Sequence, residues 1–589
     1  MDHLPHYSRR LIARIVVACI VLLPGVAAAQ SLTYGIEGLD GELARNVRAW
    51  LGPEPETPAE RQNFVASARE RSASALQALG YYRPDIDISV DRSASRWTMR
   101  IAVTPGEPVR LREIDLNVSG EATTDEAFAE LLASPGFAVG DVLHHGKFER
   151  FRSETLSLAQ KRGYFNARIA SSRITVDADA GAADVRVLLE SGERFAFGEF
   201  EYDQTLVSHE MLESLRDFAV GDPYLQSRLQ RFQARLQSTG FFAAVLVEPR
   251  ADEASDGRVP IAVSLHPAKR HSFDAGIGYS TDTEGRLTLA WRTPRVNRFG
   301  HSQVSRVVVS AVNPSGRVTY NIPLTHPLND LLQLWARAEE NEFGDINSQQ
   351  LELGSRREIR SSNWVWGYSV RDLEESWNLL GADNENDYLL LGGSLSRRDL
   401  KGSLLDPEGG FSQYYALEGA SQAAASDIDL LRFTSLLRYV VSPLPRHRMV
   451  ARAELGAAEV IAGDRRDLAP SLSFFAGGNQ SIRGFGYQSV GNELSVTRAN
   501  GSPRELVVGG DRLAVFSLEY QYYVSDSWRG AVFIDGGDAF DAGEFNWNYG
   551  TGFGIHYLSP VGAVRVEVAR DISEDEPEWR LHLNIGAEF

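Results

Sequence analysis

The sequence predicts a mostly β protein in which three α/β domains precede a sixteen-stranded antiparallel transmembrane β-barrel. Three observations predict this fold class. A helix-like segment that ends in glycine and two aromatic residues occurs three times in the first half of the chain. Short segments of alternating apolar and polar residues fill the second half. The first 29 residues have the order of charge and hydropathy that is typical of a secretory signal peptide.

The N-terminal segment is interpreted as a signal peptide over residues 1–29. Three arginines precede an apolar run over 15–23, and Ala27–Ala29 supplies the small residues at which such peptides are cleaved. We therefore expect the mature chain to begin near Gln30. Cys19, the only cysteine, lies in this segment. Disulfides, cysteine-type zinc sites and cysteine nucleophiles are therefore excluded from the mature chain.

The charge of the chain argues against nucleic acid as a partner. The formal net charge is −19, and residues 1–29 carry three arginines and one aspartate, so the remainder carries −21 with no long basic run. Beyond that segment, no stretch approaches the ~18 apolar residues that a spanning helix needs. A chain of this kind can cross a membrane only as a closed barrel, because lipid offers no partners to unpaired backbone groups.

Three repeats predict three domains of one fold. In each repeat, apolar residues recur at helical spacing before a glycine, which supplies the left-handed cap that ends the helix. Each repeat has the order strand, helix, helix, strand, strand. The repeated triplets are Gly80-Tyr81-Tyr82, Gly163-Tyr164-Phe165 and Gly240-Phe241-Phe242. The predicted domains span 30–108, 109–192 and 193–267.

Residues 268–589 predict the barrel. Roughly 320 residues at about 20 per strand and turn give about sixteen strands. Counting each alternating run places eleven strands before the loop 477–491 and five after it, and an even total suits a closed bacterial barrel. In 580–589, apolar and polar residues alternate, as expected for lipid on one face and a wet lumen on the other. A soluble β-sandwich shows similar alternation, so the strand count and the signal-peptide pattern decide between the two.

Two short motifs stand at related places in this barrel. The loop after the eleventh strand carries the loop motif, Arg483-Gly484-Phe485. Since the α/β domains lie in the periplasm, the first strand runs outward and this loop is extracellular. A later strand carries the wall motif, which consists of Phe533, Asp535 and Gly537. Alternation along a strand points these three residues to one face, which puts Asp535 in the lumen.

The repeats and motifs resemble the BamA/TamA superfamily of outer-membrane assembly factors. The repeats resemble POTRA domains, the loop motif matches the superfamily's (V/I)-R-G-(F/Y), and the wall motif is similar to V-x-F-x-D-x-G with Ala531 in place of the first valine. The resemblance implies that the loop folds back into the lumen, where its arginine contacts the inner wall. We therefore predict a buried charge pair between Arg483 and Asp535.

The first and last strands are predicted to close the barrel at a seam. These strands are about 272–280 and 580–589, and three glycines leave the seam sparse in side-chain contacts. A seam that opens presents an unpaired edge inside the bilayer, and a substrate strand can pair with that edge. The terminal strand resembles the barrel-assembly signal in ending on an aromatic residue. The residues assigned to the seam are Gly276, Gly278, Gly586 and Phe589.

Three repeats resemble TamA more than BamA, which has five, or the two-partner secretion transporters, which have two. The resemblance implies a protein of the bacterial outer membrane that inserts outer-membrane β-barrel proteins, autotransporters especially. Its expected partners are a TamB-like inner-membrane-anchored periplasmic protein, unfolded outer-membrane protein substrates and outer-membrane lipid. A two-partner secretion-type transporter and a general BamA-like insertase remain open alternatives.

An enzyme and a passive porin are the other candidates. The chain has no G-x-S-x-G elbow and no H-E-x-x-H segment, so we expect no catalytic residue, metal or cofactor. A passive porin would need neither three periplasmic repeats nor the paired loop and wall motifs.

Overall fold

The computed structural model describes residues 31–93, 96–204, 206–403, 406–497, 503–559, 562–573 and 577–586. The predicted signal peptide 1–29, Gln30 and Phe589 lie outside the described residues. The chain divides into two compact units. One comprises residues up to Glu199, Ala219–Arg228 and Pro249–Ile261, and the other comprises Phe200–Phe218, Leu229–Glu248 and the chain from Ala262 onward.

Each of the three repeats forms a three-stranded sheet with two helices, as predicted. The third strand of each repeat lies at the centre of its sheet, in the orders β1-β3-β2, β4-β6-β5 and β7-β9-β8. In order along the chain, the elements are β1 (Leu32–Glu37), α1 (Gly41–Leu51), α2 (Pro58–Gln77), β2 (Asp85–Asp91), β3 (Trp97–Thr104), β4 (Arg110–Ser119), α3 (Glu126–Ala133), α4 (His145–Lys161), β5 (Arg168–Asp177), β6 (Ala182–Glu190), β7 (Ala196–Tyr202), α5 (His209–Ser214), α6 (Gln226–Ser238), β8 (Phe242–Pro249) and β9 (Arg258–Pro267).

The repeated glycines have the backbone conformation that the sequence predicts. Gly80, Gly163 and Gly240 have φ of 93°, 91° and 72°, which favour glycine. The first two of these glycines also join their repeat to the next repeat along the chain. The Gly80 carbonyl accepts the Val109 N–H at 2.9 Å, and the Gly163 carbonyl accepts the Phe195 N–H at 2.9 Å. A Cβ on Gly80 would lie 2.4 Å from the Leu143 carbonyl oxygen, so this junction requires glycine for space as well.

The second half of the chain forms a closed barrel of sixteen antiparallel strands, which confirms the predicted fold class. Eleven strands precede the long loop and five come after it, as the sequence predicts. The eleven are β10 (Ser272–Ser280), β11 (Glu284–Thr293), β12 (Ser302–Ser310), β13 (Ser315–Pro323), β14 (Asp330–Phe343), β15 (Ile346–Ser361), β16 (Trp364–Leu379), β17 (Ala382–Gly402), β18 (Pro407–Ala420), β19 (Asp429–Leu444) and β20 (His447–Ala462). A hairpin of β21 (Glu493–Thr497) and β22 (Pro503–Val507) lies within the loop, and the barrel then continues with β23 (Arg512–Tyr523), β24 (Trp528–Phe540), β25 (Asn548–Ser559), β26 (Gly562–Asp571) and β27 (Trp579–Gly586).

Alternation along the barrel strands separates an apolar outer face from a polar inner face. In β24, Val532 and Ile534 are exposed while Phe533 and Asp535 are buried. The outward residues therefore suit a lipid environment, and the inward ones can hold charge. Among the helices that the structure describes, none is both long and apolar enough to cross a membrane.

Candidate functional site: the loop anchor and the seam

The segment between β20 and β23, described over 463–497 and 503–511, is here called the lumen loop, and its part 468–490 packs against the inside of the barrel. Several of its apolar side chains belong to one buried cluster with residues of the barrel wall. Phe474 and Ile482 are among the loop members, and Tyr388 and Leu430 are among the wall members. Burial of these side chains holds the loop inside the barrel and places the loop motif against the wall.

Arg483 contacts Asp535, the wall residue with which the sequence motifs pair it. Its Nε donates to Asp535 Oδ2 at 2.7 Å and its Nη2 donates to Oδ1 at 2.9 Å, so the contact is two-pronged. The Arg483 N–H also donates to Oδ2 at 3.0 Å. The guanidinium carbon lies 3.3 Å from the centre of the Phe533 ring, and the Arg483 side chain is only 2 % exposed.

Two further carboxylates share this guanidinium, and neither of them belongs to the sequence motifs. Arg483 Nη1 donates to Glu519 of β23 at 2.7 Å and to Glu567 of β26 at 3.2 Å. One buried cation therefore faces three buried carboxylates on three strands. Both glutamates lie at lumen-facing positions of strands in which apolar and polar residues alternate. That alternation is the sequence signal that could have identified them.

His556 and Arg529 extend the network from the anchor. Arg529 Nε donates to His556 Nδ1 at 3.0 Å, and an arginine nitrogen can only donate, so Nδ1 is the acceptor. The proton of a neutral His556 is then on Nε2, which lies 2.8 Å from Glu567 Oε1. Glu519, His556 and Glu567 are close enough together to bind a metal ion. The two arginines already use these groups, so a metal would have to displace them.

Two glycines make room for the anchored loop, and a third allows close approach of two wall strands. A Cβ on Gly484 would lie 2.7 Å from the Asp571 nitrogen, and one on Gly550 of β25 would lie 1.7 Å from the Arg483 carbonyl oxygen. Gly537 of the wall motif would place a Cβ 2.1 Å from the Ala514 oxygen of the neighbouring strand. Gly550 is a further residue of the site that sequence reasoning missed. Phe485, the last residue of the loop motif, is buried in the cluster that holds the loop.

The seam between β10 and β27 is short within the described residues. The paired residues are Tyr279 with Ile585 and Ser280 with Asn584, and the Thr281 N–H donates to the Leu583 carbonyl at 3.0 Å. By contrast, β10 pairs with β11 along all nine of its residues.

The structure locates three of the four residues assigned to the seam. Gly276 and Gly278 lie on β10, and Gly586 is the last described residue of β27. Phe589 lies outside the described residues. Extending the observed register by one step from Tyr279 and Ile585 brings Gly278, rather than Gly276, opposite Gly586.

Comparison with known proteins gives matches along most of the chain. Residues 275–589 match the Omp85 superfamily domain, residues 33–105 match POTRA domain TamA domain 1, and residues 113–192 match the POTRA model described as surface antigen variable number repeat. Among solved structures, BamA from Haemophilus ducreyi lacking POTRA domains 1–3 has a TM-score of 0.71 at 14% identity, covering 81% of this chain and 99% of that one. CdiB from Acinetobacter baumannii has a TM-score of 0.46 at 14% identity, covering 81% and 90%. At these identities, the likeness to the BamA structure shows a shared fold.

Proposed function

The chain belongs to the Omp85 superfamily, and we propose that it inserts outer-membrane β-barrel proteins, autotransporters especially, as the outer-membrane subunit of a translocation and assembly module. Members of the superfamily are outer-membrane insertases or transporters that act on unfolded outer-membrane substrates without enzymatic chemistry. The barrel lies in the outer membrane and the POTRA domains lie in the periplasm. We propose in addition that this chain inserts proteins into the membrane, that autotransporters are among its substrates, and that it works as part of this module.

The junction between the first and last barrel strands is the observation that carries the proposed insertion mechanism. Residues Ser272 to Ser280 of β10 pair with β11 on one side, and Tyr279 and Ser280 pair with described residues of β27 on the other. Unpaired backbone groups at membrane depth are costly, and an incoming strand satisfies them whatever its sequence. Opening of the seam would expose such an edge on β10.

The POTRA domains supply a route to that edge. In each sheet the central strand is covered on both sides, which leaves each of the two outer strands with one free edge within its own sheet. Such edges can hold an extended chain by backbone hydrogen bonds. We propose that unfolded substrates pass along these edges before they reach the barrel.

The match of residues 33–105 to a TamA-type POTRA domain supports the translocation and assembly module over the two alternatives. On this proposal, the partner is a TamB-like protein anchored in the inner membrane. Affinity capture of the full-length chain from cross-linked envelopes should recover a large protein of that kind. Recovery of a dedicated secreted exoprotein would instead favour a two-partner secretion-type transporter, and recovery of outer-membrane lipoproteins alone would favour a general BamA-like insertase.

A disulfide across the seam tests the insertion mechanism. The variant combines Gly278→Cys with Gly586→Cys, which the register places opposite each other, and insertion of an autotransporter barrel into liposomes is measured before and after reduction. Insertion should stop in the oxidised protein and return on reduction. The matched control joins Thr288→Cys to Val308→Cys, which pair in β11 and β12, and it should insert substrate normally. Normal insertion by the protein with the oxidised seam would exclude lateral opening there.

A further inference from the structure

The lumen loop contacts both strands of the seam from inside the barrel. Asn479 lies beside the first strand, and Gly484 lies beside the last. The loop residue between them that is tied most tightly to the wall is Arg483. A loop segment held in this way can set how readily the two strands separate.

The contacts with the first strand are two hydrogen bonds from Asn479. Its N–H donates to Asp282 Oδ2 at 2.7 Å, and its side-chain Nδ2 donates to the Ser280 hydroxyl at 2.8 Å. Asp282 lies in the turn after β10, and its side chain is only 9 % exposed. Gly478 approaches the same carboxylate so closely that a Cβ would lie 2.7 Å from Oδ2.

The contact with the last strand is one hydrogen bond to a buried histidine. The Gly484 N–H donates to His582 Nε2 of β27 at 3.2 Å. Because Nε2 accepts, the proton of a neutral His582 is on Nδ1, which has no hydrogen-bond partner among the described residues and lies 3.9 Å from Asp282 Oδ1. His582 therefore faces, across the seam, the same carboxylate that Asn479 binds.

We infer that residues 479–484 clasp the seam, and that Asn479, Asp282 and His582 are positioning residues that hold β10 and β27 together in the resting state. This inference rests on the proposed function, in which the seam opens to substrate. Arg483 fixes the clasp to β24 through Asp535. The clasp therefore cannot move with both strands when they separate. Opening of the seam must break the contacts of at least one side. By linkage, any ligand that unseats the loop favours the open seam, and an open seam loosens the loop by the same factor.

Amide hydrogen exchange measures the opening directly. The Thr281 N–H donates to the Leu583 carbonyl, and the Leu583 N–H donates to the Thr281 hydroxyl at 3.3 Å, so both amides exchange when the seam opens. The amide of Ser280 points to β11 and is an internal control, because donors alternate sides along an antiparallel strand. When closing is faster than exchange, the rate is proportional to the population of the open seam.

Three substitutions in the refolded full-length protein test the clasp. Asn479→Ala removes the amide contact with Ser280 and should speed seam exchange by about threefold, while Asp282→Ala removes a charged acceptor and should speed it by about tenfold. His582→Ala removes the acceptor for Gly484 and should speed it by about threefold. The matched control is Gln488→Ala, because Gln488 is an amide of the same loop that binds the Gly344 N–H, away from the seam.

The control should leave seam exchange within about twofold of the parent protein. Each variant is first checked for folding by migration before and after boiling, and Asp282→Asn replaces Asp282→Ala if the latter does not fold. Seam exchange that is no faster in the three variants than in Gln488→Ala would overturn the clasp. No substrate or partner is present, so this result is independent of the insertion assay. If insertion proceeds through an oxidised seam, the proposed function fails while the clasp can still be confirmed.

Discussion

The wall around Arg483 and the seam beside it are parts of one barrel that are held together in opposite ways. At the wall, each of four successive strands, β23 to β26, contributes an ionisable side chain to the network around Arg483: Glu519, Asp535, His556 and Glu567. At the seam, two residue pairs join β10 to β27 in the described chain. A buried charge network therefore holds one arc of the barrel, and the lumen loop connects that arc to the seam.

The largest effect on stability should come from removing Arg483, the loop cation that the wall carboxylates bind. Breaking a buried ion pair by removing one partner costs ~3–5 kcal/mol. Arg483→Ala should reach that range in urea unfolding of the barrel, because it leaves three carboxylates without their shared partner. Asp535→Ala should cost less, since Arg483 retains Glu519 and Glu567. Equal costs for the two variants would mean that the glutamates do not share the guanidinium.

The double variant sharpens the sequence-based expectation for this pair. The sequence predicts that Arg483→Ala with Asp535→Ala is much less harmful than the sum of the single changes, because neither charge is left unpaired. The structure adds two glutamates that still lose Arg483, so we expect only partial compensation. A double-mutant cycle should still give a clear coupling energy, and a coupling near zero would contradict the contact.

An intermediate loss of stability should come from replacing the planar guanidinium of Arg483 with the ammonium group of lysine. Arg483→Lys keeps the charge but cannot make the two-pronged contact with Asp535. We expect it to recover about half of the stability that Arg483→Ala loses, as measured by the same unfolding assay. Full recovery would show that charge alone anchors the loop, and no recovery would show that geometry alone does.

A smaller loss should come from filling the space beside the anchored loop. Gly550→Ala would push a methyl group against the Arg483 carbonyl, and overpacking of this kind typically costs about 1–3 kcal/mol. Gly530→Ala on β24 is the matched control, because a Cβ there meets nothing within 4 Å. The prediction fails if the two alanine variants unfold at the same urea concentration.

The smallest effect has the opposite sign and concerns the seam. A Cβ on Gly276 of β10 would meet nothing within 4 Å among the described residues, and replacing a strand glycine with alanine stabilises by roughly 0.5–1 kcal/mol where the backbone permits it. Gly276→Ala should therefore slow exchange of the Thr281 amide slightly. Faster exchange would show that β10 needs the freedom of this glycine to close the seam.

The repeats show how far local pattern extends in this chain. Glycine after a helical segment predicts a left-handed cap, and Gly80, Gly163 and Gly240 all have positive φ. The same pattern does not say that the carbonyls of Gly80 and Gly163 would bind the first residues of the next repeat. That contact depends on how two domains meet, which leaves no spacing signal within either domain.

The amino-acid sequence by itself determined the three α/β repeats, the sixteen strands with their inward and outward faces, and the meeting of Arg483 with Asp535. The repeats and strands come from period and from turn chemistry, which are properties of neighbouring residues in the chain, and the charge pair is implied by the resemblance of two short motifs to those of the superfamily. Only the tertiary structure decided that Glu519 and Glu567 share the guanidinium, that Gly550 makes room for the loop, and that Asn479 reaches Asp282. The physical reason is register: these contacts depend on how far each strand is shifted against the next, and that shift accumulates around the closed barrel.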